Sequence, residues 1–284
     1  MAPSARTRPD RCPGVVHPWP ADDGGLVRIR VPGGQVALTA LRALAAVAEE
    51  YGDGRVRVTG RAHLQVRAMP LDARGRLAGP ALDALEATGL LPSRAHDRIR
   101  NVLASPQTGL AGGRADLRPL VATLDRLLLA DRDLARLPGR FLFTLDDGRG
   151  DLAGRHRDLG LVALDRHRAQ LVVGEGYGDV VALDDAAGVL VSLARAFLAA
   201  RGSGPHAAWH VGELSAPLVA PVAPAPGATV AAGALPYGTV PGGEHVPVGD
   251  DGLDAATLAA WTVPSVVVTP WHGVLIPSTS EEGL

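Results

Sequence analysis

Polar and apolar residues alternate most strictly between Arg55 and Arg67, which reads RVRVTGRAHLQVR. Arg55, Arg57, Thr59, Arg61, His63, Gln65 and Arg67 fall on one phase, and small or apolar residues fall on the other. Period two places alternate side chains on opposite faces of a strand. At about 3.3 Å per residue, one uninterrupted strand here would run about 43 Å. Its polar face would carry four guanidiniums and no carboxylate, the composition of a surface that receives an anion. Upstream, Leu26–Val31 alternates as a second strand. Thr39 is placed to cap a helix through Glu50, with Leu41, Leu44, Ala45 and Val47 on its apolar stripe. A short helix follows at Pro80–Thr88.

From Arg94 the pattern changes. Arg98-Ile99-Arg100-Asn101-Val102 leads into a Gly-rich loop, Ser105–Ala115. Asp116 caps an expected helix to Ala130, and Phe141–Leu145 is an expected strand ending in the turn Asp146-Asp147-Gly148. Leu159–Leu164 and Gln170–Val173 suggest a hairpin, and Asp184 caps a helix through Ala200. Ser215–Gly227, SAPLVAPVAPAPG, has the composition of an extended linker. Beyond it the early order returns: a short strand, Pro241-Gly242-Gly243, a helix capped by Asp254, then Val266–Thr269 and Pro270–Pro277. Thr269 falls opposite Thr59 and Pro277 opposite Arg67, while Trp271 and Leu275 replace Arg61 and Gln65. The expected fold is therefore α+β, two half-domains of a split internal repeat flanking an α/β domain. The expected boundaries are an irregular tail at 1–21, a first half-domain at 22–92, the α/β domain at 93–205, a linker at 206–230 and a second half-domain at 231–284.

The net charge of −2 gives no argument for nucleic acid. No run of eighteen apolar residues suggests a membrane span, and the Arg-rich N-terminus leads into no apolar signal segment. A cytoplasmic protein is expected. Lysine is absent, so all 28 basic residues are arginine, and only the position and grouping of an arginine carry information. Cys12 is the sole cysteine, which rules out an internal disulfide or a multi-thiolate site built from these residues alone. Gly174, Gly176 and Gly178 follow a strand but open no helix, so they read as a turn rather than a dinucleotide loop. His206 and His210 have the spacing of a zinc pair, yet Pro205 and the want of a third ligand make a loop the expectation. Asp146, Asp147 and Asp151 read as a turn, and no metal ligand is assigned.

Several motifs, in order, resemble the siroheme-type nitrite and sulfite reductases and their relative precorrin-3B synthase. They are Val58–Arg67, Arg100-Asn101-Val102 with Ser105-Pro106, Leu137–Phe141, Leu145–Gly148, Leu159–Val162 and Val268–Pro277. The resemblance implies ferredoxin-like half-domains around a tetrapyrrole cleft. Cys12-Pro13-Gly14 followed by Asp23-Gly24-Gly25 is most similar to the precorrin-3B synthase branch. That branch implies oxygen-dependent hydroxylation and lactone formation on precorrin-3A, in cobalamin biosynthesis. The alternatives are a ferredoxin-dependent nitrite or sulfite reductase, and a non-catalytic tetrapyrrole-binding module completed by another chain.

By resemblance, Arg61, Arg100 and Arg140 stand at catalytic positions, and Arg61, His63, Gln65, Arg67, Arg100 and Asn101 would bind the tetrapyrrole. Guanidinium groups fork onto carboxylates through paired charge-assisted hydrogen bonds, which suits the macrocycle's acidic rim. Leu142 occupies the position of a fourth basic residue around the reductases' oxyanion, which favours the biosynthetic branch. The family's 4Fe-4S cluster needs four cysteines that this sequence lacks, so the chain is expected to be a truncated, split or degenerate copy. Siroheme would be the cofactor under the reductase alternative, and an electron donor and a separate cysteine-bearing chain are the expected partners.

Overall fold

The computed structural model describes residues 10–278; the rest of the expected tail and the last six residues lie outside it. Two compact units emerge. One holds residues 13–97 and 235–278; the other holds residues 10–12 and 98–234.

In the first unit, strands β1 (Trp19–Ala21) and β2 (Gly24–Ile29) form a hairpin. The expected irregular tail therefore ends in a strand. After a 3-10 turn at Pro32–Gly34 come β3 (Gln35–Ala37) and α1 (Leu38–Tyr51), which buries Leu41, Leu44, Ala45 and Val47 as its periodicity requires. Ala37 rather than Thr39 occupies the N-cap, and no side chain caps the helix.

The largest departure from expectation follows. Arg55–Arg67 is not one strand but a hairpin of β4 (Arg57–Val58) and β5 (Leu64–Met69). Thr59 and His63 close its loop through a 2.9 Å backbone bond, and Ala62 N–H donates to Thr59 O at 2.9 Å. Ala62 has φ +54°, so the turn is a three-residue loop ending in a left-handed residue. Alternation continues through such a loop, which is why period two conceals it. The sheet order is β1-β2-β5-β4, and α2 (Gly79–Ala87) follows.

The second unit carries β6 (Val102–Ala104), α3 (Arg118–Ala130), β7 (Phe143–Asp146), β8 (Leu159–Ala163), β9 (Arg168–Val173), β10 (Gly176–Ala182) and α4 (Ala186–Ala200). β6, β7 and β8 are parallel, and β9 and β10 continue the sheet antiparallel. β8 reads LGLVA and is buried throughout, as a central strand covered on both faces should be. Phe141, Phe143 and Phe197 meet in the core at centroid distances of 5.4 and 4.8 Å. Each buried ring contributes roughly 1.5–3 kcal/mol. The Pro/Ala-rich segment lies along this unit rather than acting as a free tether. Val222 pairs with Tyr177, the Gln170 amide donates to Ala223 O at 3.0 Å, and Arg114 donates to Gly227 O at 3.0 Å. The three aspartates of the 146–151 turn serve the chain itself: Asp146 Oδ1 accepts from Gly148 and Gly150 N–H, and Asp147 pairs with Arg149.

Back in the first unit, β11 (Gly238–Val240), β12 (Gly243–Pro247), α5 (Ala255–Ala259), β13 (Ser265–Thr269) and β14 (Gly273–Pro277) repeat the order of β1, β2, α1, β4 and β5. His272, at φ +57°, takes the turn conformation of Ala62. Asp254 caps α5 as expected, accepting from Thr257 N–H at 2.8 Å. Pro241-Gly242 is the β11–β12 turn, however, so its counterpart is Asp22-Asp23 and not Pro32-Gly33. The copies interlock. β3, ahead of α1, pairs with β13 of the later copy, and Leu253, ahead of α5, pairs with Val56 of the earlier one. Arg42 of α1 donates to the Leu258 and Trp261 carbonyls at the end of α5, at 3.0 and 2.6 Å, supplying acceptors there with donors.

Candidate functional site

The charged face is a row across the sheet, not a stripe along one strand. Gln65 of β5 stands directly opposite Arg28 of β2 on one side and Arg57 of β4 on the other. Neighbouring strands lie about 4.8 Å apart, so the two arginine backbones are separated by roughly 10 Å with the amide between them. An Arg28 guanidinium nitrogen donates to Gln65 Oε1 at 3.2 Å.

This row floors a cleft of about 530 Å³, within the size range of small-molecule sites. Thr59, Gly60 and Arg67 continue the lining, and Val248, Gly249, Asp250 and His272 of the later copy form the opposite wall. Arg57 Nε donates to the Asp250 carbonyl at 2.9 Å, and a second guanidinium nitrogen faces Asp53 at 2.6 Å. His272 Nδ1 donates to Val58 O at 3.1 Å, which ties the later hairpin to the floor. Gly60 faces His272, and an added Cβ there would meet the ring at 3.5 Å.

Arg67 pairs with Asp23 at 2.9 Å, both side chains about 40% exposed. Their hydrogen bond lowers the Asp23 carboxyl pKa and raises that of the arginine. Exposed pairs of this kind contribute about 0–1 kcal/mol, so a ligand carboxylate could replace Asp23 at small cost.

The other expected site residues sit elsewhere. Arg61 occupies the β4–β5 turn and His63 is buried beneath it, with Val31 N–H directed at His63 Nδ1 at 3.5 Å. Neither lines the cleft. In the α/β unit, Arg100 is buried and forks onto Asp125 at 2.6 and 2.7 Å. Asn101 is buried, and its amide donates to the Arg98, Gly139 and Phe141 carbonyls, bracing two loops. Arg140 is exposed one residue before Phe141, and Leu142 is buried. Arg28 and His272 escaped the sequence reading. The signal for Arg28 was its alternation in LVRIRV, but its place beside Gln65 required the strand register.

Elsewhere in the α/β unit, burial raises the Asp151 carboxyl pKa to about 7, while Ser105 Oγ donates to it at 2.7 Å. Among the described residues no helix is long and apolar enough to cross a membrane.

Residues 20–78 match the nitrite/sulfite reductase ferredoxin-like half-domain. The ferredoxin–nitrite reductase of Synechococcus elongatus is 31% identical over 131 residues, 44% of this chain and 25% of that protein. A precorrin-3B synthase from Sinorhizobium is 36% identical over 80 residues, 28% of this chain and 17% of that protein. The structure of the Mycobacterium tuberculosis NirA protein superposes with a TM-score of 0.65 at 17% identity, covering 97% of this chain and 58% of its own. That likeness is one of fold. The chain matches a quarter or less of the length of the two sequence relatives.

Proposed function

We propose, from the match of residues 20–78 to the nitrite/sulfite reductase ferredoxin-like half-domain, that the cleft holds a polycarboxylate tetrapyrrole in a precorrin-3B synthase-like oxidoreductase. The observation that carries this reading is the transverse row Arg28–Gln65–Arg57. Two guanidiniums about 10 Å apart at the backbone suit a ligand that carries separated carboxylates. A single small oxyanion would have to draw both side chains inward. Arg67, released from Asp23, adds a third fork, and Gln65 can offer its amide to a carboxylate or a lactam. Arg61, Arg100 and Arg140 remain proposed contributors to the reaction, with His63 and Asn101 as supports of the backbone that carries them.

Cluster chemistry does not fit this chain's residues. An iron–sulfur cluster is held by four thiolates or their equivalents, and Cys12 is the one cysteine. The chain's part in the reaction is to bind and orient the macrocycle; thiolate ligands would have to come from outside these residues.

The test is titration with uroporphyrin, whose rim carries eight carboxylates, against its octamethyl ester. Saturable binding of the acid and none of the ester supports the reading. Equal affinity for both would overturn it. A reductase reading draws support from the longer match to the nitrite reductase. Its mark would be siroheme binding followed by a nitrite-dependent change in the visible spectrum.

A further inference from the structure

In the α/β unit, three ligand-type side chains from distant parts of the sequence converge. His156 and Asp158 lie two residues apart ahead of β8, and His210 comes from the segment after α4. We infer that they form a binding site for one first-row divalent transition-metal ion of the zinc class. This inference is independent of the arginine cleft.

The distances carry it. His210 Nδ1 lies 3.3 Å from His156 Nε2, and 3.3 and 3.4 Å from the two Asp158 oxygens. All three ligand atoms fall within 4.8 Å of one another. Ordinary N–H···O hydrogen bonds centre near 2.9–3.0 Å. Two ligands at about 2.0–2.1 Å from a tetrahedral ion are about 3.3 Å apart. A neutral ring nitrogen carries at most one proton, so His210 Nδ1 can donate to one of these neighbours but not to both. A shared cation accounts for both sets of contacts to His210. The imidazole rings stand nearly perpendicular, 83° between planes, with centroids 4.8 Å apart.

The surroundings favour the same reading. Asp158 is fully buried, and its carboxylate is fixed by Leu142 N–H on one oxygen and Val211 N–H on the other, at 2.9 and 3.0 Å. Such outer bonds orient a metal-binding carboxylate. Two of its roughly four lone-pair sites remain for another partner. A buried carboxylate is costly without compensating charge, and a dication supplies it. Two imidazoles and one carboxylate select a zinc-type ion over magnesium or calcium, which take all-oxygen sets. His156 is exposed, so water can complete the coordination.

The experiment uses the whole chain without an affinity tag, stripped with a chelator and titrated with zinc chloride by calorimetry. One equivalent should bind at micromolar or lower free zinc, and cobalt(II) should give the visible bands of a tetrahedral site. His156→Ala and His210→Ala should each weaken binding at least about a hundredfold. His156 is on the surface, so its variant should keep the wild-type circular dichroism and serve even if others misfold. His206→Ala, the sequence neighbour outside the cluster, should leave affinity unchanged. The inference fails if stripped wild-type protein takes up no zinc, if His156→Ala binds as wild type does, or if His206→Ala loses binding as His210→Ala does.

Discussion

The two copies of the repeat share a backbone and differ in one row of side chains. In the first copy the row is Arg28–Gln65–Arg57, half-exposed in a cleft. At the same register in the second copy it is His245–Leu275–Val267, and all three are buried. His245 Nδ1 donates to the Pro236 carbonyl at 3.0 Å, its Nε2 faces Thr269 Oγ1 at 2.9 Å, and the Tyr237 ring lies 4.7 Å away. Gly273 is required beside it, since an added Cβ would meet His245 Nε2 at 2.3 Å. One frame thus serves as a binding surface in one copy and as packing in the other. The second copy keeps the same frame without a charged row.

That contrast can be broken most forcefully from its first side. Arg28→Ala with Arg57→Ala should weaken uroporphyrin binding at least about a hundredfold, roughly 2.8 kcal/mol, with little change in melting temperature. Calorimetric titration beside a thermal melt separates the two effects. The mirror change, His245→Ala, should leave binding intact and cost about 2–3 kcal/mol of stability, because it opens a cavity and strands two polar partners. Denaturant unfolding reads it directly. Gln65→Leu copies the second row into the first, and should cost about tenfold in binding, about 1.4 kcal/mol.

A pH series sharpens the same contrast. Burial lowers the His245 pKa below its ordinary 6.5. The unfolded chain then takes up a proton that the folded chain resists, so stability should fall as pH drops below about 6.5, by at most about 1.4 kcal/mol per unit. His245→Gln should flatten that slope; an unchanged slope would assign it to another group. Arg67→Ala should show the smallest effect, about two- to threefold in binding, since releasing Asp23 offsets part of each new contact.

Much of this frame was legible in the sequence. The match of Thr59 with Thr269 located the second hairpin, and Asp254 marked the start of its helix. What failed had identifiable physical causes. Period two cannot distinguish a long strand from two strands joined by a loop that preserves the alternation, so Thr59–His63 has the pattern of a straight strand. Pro-Gly pairs mark turns of many kinds, which led Pro241-Gly242 to be matched to the wrong turn. The candidate site was half visible: Gln65 and Arg67 line the cleft, whereas Arg28 and His272 reach it through register and the interlock of the copies. Arg100 looked like a free cation because nothing in its neighbourhood announces Asp125, which α3 brings to it.

The exchange of strand partners between Val36 and Val266, and between Val56 and Leu253, also constrains how the chain reaches its fold. The second sheet cannot be completed until β13 meets β3, and the Val56–Leu253 bridge beside the first sheet likewise joins segments about two hundred positions apart. Closure entropy grows only logarithmically with such a separation, but contacts this remote slow folding. A ribosome would release the first half-domain long before its partner strand exists, with the backbone of Val56 left without its Leu253 partner. During synthesis that edge is open to pairing with another chain.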